Sequence, residues 1–483
     1  MGASGGMPRV LRLTFSSCLI AALGSCFSNT PTAPGSGSSA LDDAGRSGPF
    51  PSAGTVSIAK GAGAPTSRFA FGQNYWNWID WTNAGTTGLT GTEPLVASLR
   101  VNVLRAGGNN NDSNSPSPFN TTEIDKFVAY CRTVGAEPIL QVPLLANDVD
   151  AGATTAQTAV DMVTYVNGTK GYAVKYWEIG NEPDLYTPSR NAQPAIRSAS
   201  DYCAQFASYA TAMNAAAASP GGGGQPIQFV GPDLAYRYTA TDDWLTPFLD
   251  GCKDYVDVVS VHRYPFKGSE TSVAGALNDV DAFKTTVLSL AAIVQGHARP
   301  GTPLAVTEAN ISYDYALSAY TPSSLVAAPG TFYAGLWTAD IMGAALESHL
   351  WTLALWNIGE ADPRSSVLGY IAGGQPTPAY YAERMVSATF RGNVLAPAGV
   401  PTGFSVYASY DAGSGVTAIL VLNKTTTSSR LTLAVEGLPV QSFDFPATSL
   451  TMVQIPDAAG SASTVLRYTA ERAAASMPPE SIQ

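Results

Sequence analysis

Histidine and cysteine are scarce in this 483-residue chain, three of the first and five of the second. Histidines at 262, 297 and 349 alone argue against a metal centre built from several imidazoles, and no Cys-x-x-Cys spacing supplies a thiolate alternative. No metal and no other cofactor is expected. Charge is sparse as well: only 13% of residues are Asp, Glu, Lys or Arg, with a net charge of −11 and a pI near 4.8. Binding a phosphate backbone needs a concentrated Lys/Arg surface, which 26 scattered basic residues do not make, so nucleic acid is not an expected partner. No G-x-G-x-x-G follows the first apolar run, which disfavours a dinucleotide fold, and no G-x-S-x-G nucleophile elbow follows a later one. Internal repeats are absent, and beyond the leader no apolar run has the length and uniformity of a membrane span.

What is present begins with an address. Arg9 and Arg12 form a basic region, Leu13 to Leu23 an apolar one too short to span a bilayer, and Leu23-Gly24-Ser25-Cys26 a small-residue cleavage site. That site resembles a bacterial lipobox, which implies removal of residues 1–25, diacylation of Cys26, and a protein that is lipid-anchored in the cell envelope or secreted. An ordinary signal peptide with a chance cysteine is the alternative. Residues 26–65, rich in Ser, Thr, Pro, Gly and Ala, cannot bury enough apolar surface to offset chain entropy and read as a flexible tether. With Cys18 lost in the leader and Cys26 lipidated, three cysteines remain: a Cys203–Cys252 disulfide is open, and Cys131 reads as a buried free thiol.

About 418 residues follow the tether (483 minus 65), enough for one large domain and a smaller one. From 69 to 357, eight short apolar runs alternate with helical patterns: 69–76, 101–108, 137–144, 174–183, 227–234, 256–265, 303–310 and 349–357. Between the second and third, Thr122 stands as an N-cap before Ile124, Phe127, Val128 and Cys131, apolar at i, i+3, i+4 and i+7. Continuous apolar strands separated by helices imply a parallel sheet covered on both faces, and eight such units predict an α/β fold, a (β/α)8 TIM barrel over 66–391; a doubly wound sheet is the alternative. After a last helix near 380–388 the pattern shifts to short strands at 404–409, 416–422, 431–435 and 450–455 with hairpin spacing. These predict an appended antiparallel β-sandwich over 392–470, joined by a strand at 55–59, and a frayed tail at 471–483.

Two runs end in carboxylates. Trp-Glu-Ile-Gly-Asn-Glu-Pro at 177–183 carries Glu182, and Pro-Leu-Ala-Val-Thr-Glu-Ala-Asn at 303–310 carries Glu308. A parallel barrel delivers reacting side chains at the C-terminal ends of its strands, and a carboxylate pair placed there suits glycosidic bond hydrolysis, one residue as proton donor and the other as nucleophile. A donor at neutral pH needs its pKa raised by burial and by a neighbouring carboxylate that stays charged, and Glu308 is placed to be that neighbour.

The fourth and seventh runs so equipped resemble clan A of the glycoside hydrolases. Gly180-Asn181-Glu182-Pro183-Asp184-Leu185-Tyr186, Gly231-Pro232-Asp233 and Thr307-Glu308 with Ala334-Gly335-Leu336-Trp337-Thr338-Ala339-Asp340 are most similar to the heparanase and β-glucuronidase family, glycoside hydrolase family 79. His262-Arg263-Tyr264-Pro265 and Trp356 stand closer to families 44, 39 and 51. The resemblance implies a secreted retaining β-glycosidase with catalytic Glu182 and Glu308, a β-glucuronidase-like exo-enzyme, and Asn181 donating to the sugar 2-hydroxyl. Alternatives are an endo-β-glucanase or xylanase-like hydrolase and a non-catalytic carbohydrate-binding lipoprotein, though the latter should have lost one glutamate.

The remaining expected substrate-binding set is Arg105, His262, Tyr264, Trp356, Asn74 and Trp76. Arg105 ends the second run and would orient Glu308; the alternative is a rim arginine bridging strands. Tyr264 is placed to bond Glu308, and His262, two residues away, faces the same cleft. Glu178 reads as a structural ion-pair partner that points inward with Glu182 by alternation. Trp356 and the first-loop aromatics Tyr75, Trp76, Trp78 and Trp81 serve either as sugar platforms or as barrel caps. The loop 107–115, with five Asn or Asp residues, either bonds hydroxyls or makes turns. Carbohydrate is the expected partner, membrane contact runs only through Cys26, and a monomer is expected.

Overall fold

The computed structural model describes residues 50–61, 63–75, 89, 91–114, 120–145, 155–186, 196–266, 272–313, 329–360 and 368–482. The leader, the lipobox at Cys26 and most of the expected tether lie outside them, as do Trp76, Trp78 and Trp81.

Eight strands close a parallel barrel in sequence order: β1 (Phe71–Asn74), β2 (Val103–Ala106), β3 (Glu137–Val142), β4 (Tyr176–Ile179), β5 (Gln228–Leu234), β6 (Val258–Arg263), β7 (Leu304–Ala309) and β8 (Leu353–Leu355). Each lies within one of the eight apolar runs, because a strand covered on both faces needs apolar side chains on both. Helices on the outside include α1 (Glu93–Leu99), α3 (Thr121–Val134), α4 (Ala156–Val163), α5 (Ala199–Ala218), α6 (Leu245–Cys252), α7 (Val273–His297), α8 (Phe332–Glu347) and α9 (Pro378–Ser387), while the short α2 (Asn109–Asn114) lies in the loop after β2. This is a (β/α)8 TIM barrel. In α3 the buried stripe falls where expected, on Ile124, Phe127, Val128 and Cys131. The N-cap is Asn120 rather than Thr122: its side chain accepts from the Thr122 and Glu123 N–H groups, which leaves Thr122 inside the helix. Cys203 on α5 is bridged to Cys252 on α6, and Cys131 is a buried free thiol.

The barrel interior is sorted by depth. Its floor is apolar, with Phe69, Tyr176 and Trp351 in ring contact beside Val103, Ile139, Val230, Val258 and Ala305. Above this plug the inward residues become polar.

The sandwich is built from β9 (Asn393–Leu395), β10 (Phe404–Asp411), β11 (Val416–Asn423), β12 (Ser429–Val435), β13 (Gln441–Phe445), β14 (Ser449–Pro456), β15 (Thr464–Thr469) and β16 (Glu480–Ile482). One sheet has seven strands and the other four. The strand Ser52–Ile58 lies in the smaller sheet, parallel to β12, so the sandwich is not wholly antiparallel: a strand arriving from the far end of the chain is not bound by hairpin geometry. Residues 52–58 and 64–65 are therefore paired strand, not tether, because Val56 and Ile58 enter the sandwich core with Val406, Ile419, Val421, Leu431 and Leu433. The tail is likewise built in. A helix, α10 (Ala470–Ala474), leads to β16, which pairs with β15, while Arg472 bonds the Pro478 carbonyl and Glu480.

Helix α8 carries the seven-stranded sheet against the barrel. A side chain at Gly343 would lie 2.2 Å from the Tyr407 ring, so the missing Cβ allows the close approach. Tyr407 Oη donates to Asp340 Oδ1 at 2.7 Å, and Lys424 Nζ lies 3.1 Å from Asp340 Oδ2.

Candidate active site

Arg105 occupies the centre of the polar layer, fully buried on β2. Its Nε donates to both oxygens of Glu178 at 2.8 and 2.7 Å. Its Nη1 donates to Glu308 Oε1 at 2.7 Å and Asn74 Oδ1 at 3.1 Å, and its Nη2 to Asn181 Oδ1 at 2.9 Å. Burial opposes the charge, but Glu178 and Glu308 more than offset it and raise the guanidinium pKa. Burial pushes Glu178 well up, against the pull of Arg105.

Glu308 sits inside the hydrogen-bonded strand β7, opposite His262 and just after a register shift in the pairing with β6. Besides Arg105 it receives the Tyr264 hydroxyl on Oε2 at 2.7 Å. Trp356 follows β8 and reaches Gly108, where an added Cβ would lie 2.7 Å from the ring and 3.7 Å from Glu308 Oε1. Gly108 has φ +104°, so the loop after β2 approaches the indole closely by virtue of lacking a side chain there.

Glu182 is held differently. β4 ends at Ile179, Gly180 has φ +75°, and Glu182 itself is left-handed at φ +48°. Its inward position thus comes from a turn, not from the strand alternation expected to align it with Glu178. The turn is stitched to its neighbours by three aspartates. The Glu182 N–H donates to the Asp233 carbonyl at 3.1 Å. Asp112 accepts from the N–H groups of Leu144, Leu145 and Asn181 and from the Tyr186 hydroxyl. Asp184 accepts from Ala235, Tyr236 and Arg237 N–H. Burial pushes Asp112 up to about 6, although its four donors pull the other way. The Glu182 side chain meets His262, Nδ1 to Oε1 at 3.0 Å, and Asn109 Nδ2 at 3.4 Å. His262 is fully buried, and burial holds its pKa below the ordinary value.

The structure therefore brings Arg105, Asn181, Glu182, His262, Tyr264, Glu308 and Trp356 together. Asn74, expected to bind substrate, is spent elsewhere: its Nδ2 donates to the carbonyls of Thr307 and Leu355 at 3.0 and 3.2 Å and its Oδ1 accepts from Arg105, so both ends serve the barrel. Trp76 lies outside the described residues. Asn181 keeps its amide Nδ2 buried and without a partner among the described residues, while Arg105 fixes the other end. Of the 107–115 loop, Asp112 makes backbone contacts and Asn109 reaches Glu182. Asp112, Asp184 and Asp233 were not among the expected site residues. Their partners, mostly backbone groups, lie dozens of positions away, and the one local hint was the density of Asn and Asp in that loop.

Glu182, His262 and Glu308 each bring a donor atom within 4.8 Å of the other two, a spacing that a divalent ion can share. Arg105, bonded to Glu308, places a positive charge beside that position and opposes a cation there.

No protein-family model and no curated protein sequence matches the chain. Solved structures match its fold. A bifunctional glucanase-xylanase, CelM2, from a metagenome library aligns with TM-score 0.63 at 17% identity, over 84% of this chain and all of that one. An α-L-arabinofuranosidase from Thermotoga maritima aligns with TM-score 0.63 at 16% identity, over 86% and 97%. A Paenibacillus polymyxa xyloglucanase of glycoside hydrolase family 44 aligns with TM-score 0.57 at 15% identity, over 83% and 97%. These alignments extend through both barrel and sandwich, and at such identities the likeness is one of fold.

Proposed function

We propose that the protein is a retaining glycoside hydrolase acting on β-linked neutral glycans, with Glu182 as acid/base and Glu308 as nucleophile. The observation that carries this reading is a carboxyl pair that brings one oxygen of each within 4.8 Å and whose members have unequal surroundings. Retaining pairs stand roughly 5–5.5 Å apart, whereas inverting pairs need roughly 6.5–9.5 Å to admit a water. Glu308 receives one cationic and one phenolic donor, which favour a carboxylate ready to attack the anomeric carbon. Glu182 faces a neutral imidazole, which suits a carboxyl that carries a proton to the departing oxygen. Once the glycosyl-enzyme has formed, the charge on Glu308 is gone, and Glu182, now ionised, takes a proton from water. The free Asn181 amide is available to a sugar hydroxyl, and Trp356 supplies an apolar face beside the nucleophile.

A β-glucuronide specificity is the finer reading that the family 79-like motifs suggest. Against it, Arg105 is consumed by Glu178 and Glu308, and Arg263 is paired with Asp279, so neither is left for a uronate carboxylate. The glucanase-xylanase and xyloglucanase likenesses favour a glucan or xylan. Turnover of a panel of aryl β-glycosides, glucuronide included, with proton NMR of the first product, tests the reading: retained configuration supports it, and an inverted first product or binding without turnover sinks it. The lipobox-like 23–26 motif further supports a lipid anchor at Cys26 in the cell envelope. The mature protein should begin at Cys26 and enter the detergent phase, and Cys26→Ala should block this. An N-terminus elsewhere would refute the anchor.

A further inference from the structure

We infer that Asp233 is a positioning residue which sets the tautomer of His262 and thereby holds the acid proton on Glu182. The inference rests on the glycosidase reading for its kinetic consequence but not for its structural core.

Asp233 lies near the end of β5 with a left-handed backbone, φ +56°, a conformation disfavoured for a residue with a side chain that persists only where surroundings impose it. Here three groups impose it. Its carbonyl accepts from the Glu182 N–H at 3.1 Å, its own N–H donates to Ser260 Oγ at 3.2 Å, and its Oδ1 accepts from Thr307 Oγ1 at 2.7 Å. Thr307 immediately precedes Glu308, so this one aspartate is bonded to the chain segments of both candidate catalytic carboxylates. Its other oxygen, Oδ2, is buried without a partner among the described residues.

The same is true of His262 Nε2, which lies 3.9 Å from Asp233 Oδ1. A neutral imidazole has one N–H and one lone pair. With the proton on Nε2, an N–H dipole faces the Asp233 carboxylate, and Nδ1 presents its lone pair to Glu182 Oε1 at 3.0 Å. That contact is then a hydrogen bond only if Glu182 supplies the proton. With the proton on Nδ1 instead, the Nε2 lone pair would face an anion in a buried site where screening is weak. Asp233 therefore favours the tautomer that requires Glu182 to be protonated. Once the departing oxygen has taken that proton, an ionised Glu182 faces a bare Nδ1, and the resulting repulsion strengthens it as the base for the second step.

Other charged and titratable groups face this pair: Glu308 and Arg105 across the site, Asp184 from the turn after β4, and Tyr264 from the end of β6. Tyr238 Oη donates to the His262 carbonyl at 2.8 Å. Asp233 Oδ1 lies 3.9 Å from Nε2, whereas Glu308 lies on the Nδ1 side at 3.7 Å.

Nitrogen-15 NMR of the full-length protein labelled at histidine reads the tautomer directly, and three histidines make assignment by substitution straightforward. The expected result is a neutral Nε2–H imidazole at 262 in the free protein near neutral pH, which is independent of any activity. An Nδ1–H tautomer, or an imidazolium, overturns the inference even if the protein hydrolyses glycosides. In Asp233→Asn the amide can donate to Nε2 and should move the proton to Nδ1. The basic limb of kcat/KM should then fall by about one pH unit, with aryl glycosides of strongly acidic leaving groups largely spared. A variant with unchanged tautomer and unchanged limb overturns it equally. If Asp233→Asn does not fold, the wild-type tautomer alone decides.

Discussion

The ends of β4 and β7 place two glutamates within 4.8 Å of each other by opposite means. Glu308 stays inside its strand, so the barrel ladder fixes its backbone and two side-chain donors fix its carboxylate. Glu182 has left its strand and sits in a left-handed turn tied to loops by Asp112, Asp184 and Asp233. Under the proposed assignment, the carboxylate that acts as nucleophile is served by the barrel scaffold and a cation, and the one that gains and loses a proton by a neutral imidazole and a scaffold of backbone hydrogen bonds. Chemical identity is the same at both ends, and environment alone separates the roles.

Glu308→Ala should break the contrast most severely, lowering kcat about 10,000-fold or more, because the reacting atom itself is gone. Added azide should restore turnover as a glycosyl azide of inverted configuration, seen by NMR; substantial activity without azide would remove Glu308 as nucleophile. Glu182→Ala should cost about 100- to 10,000-fold on substrates with poor leaving groups. The first step on dinitrophenyl glycosides should be spared, and a uniform loss across leaving groups, measured in the pre-steady state, would contradict an acid role.

Arg105→Met should lower stability by about 3–5 kcal/mol in denaturant titration, since Glu178 and Glu308 would be left as unpaired buried charges. Little change would mean that the ion-pair cluster is not what holds the two rims in register.

The smallest effect separates the rims by pH. Asp112, tied to the β4 turn, has a folded pKa of about 6 against an ordinary 3.8. A raised folded pKa means the native state binds the proton more tightly. The stability contributed by the protonated form is complete below about pH 4 and is lost as pH rises through about 6, by on the order of 2–3 kcal/mol. Thermal melts of Asp112→Asn should show that slope between pH 4 and 6 removed. An unchanged slope would assign it to another group.

The barrel was legible because eight apolar runs and the helical stripes between them are local patterns, and Glu308, Arg105, His262 and Tyr264 followed from strand period once those runs were placed. Glu182 was legible as a residue but not in its geometry, since nothing in Gly180-Asn181-Glu182 separates a strand end from a left-handed turn. The stitching aspartates were hidden for a different reason. Asp112 meets Asn181 across 69 positions and Asp184 meets Ala235 across 51, and a backbone N–H leaves no mark in a sequence. Asn74 misled because an amide at a rim looks the same whether it faces a ligand or the barrel's own carbonyls.

The parallel pairing of Ser52–Ile58 with Ser429–Val435 imposes a timetable on biosynthesis. Ile58 leaves the ribosome 377 residues ahead of its partner Val435, an interval of roughly 20–75 seconds at 5–20 residues per second. Throughout that interval the edge of the strand that will meet Val435 stays open while the whole barrel is made behind it, and its other edge meets Pro397 and Ala398 only near the end. The four-stranded sheet thus closes over a segment made before the barrel, and the nascent chain needs that segment shielded from other strand edges until then.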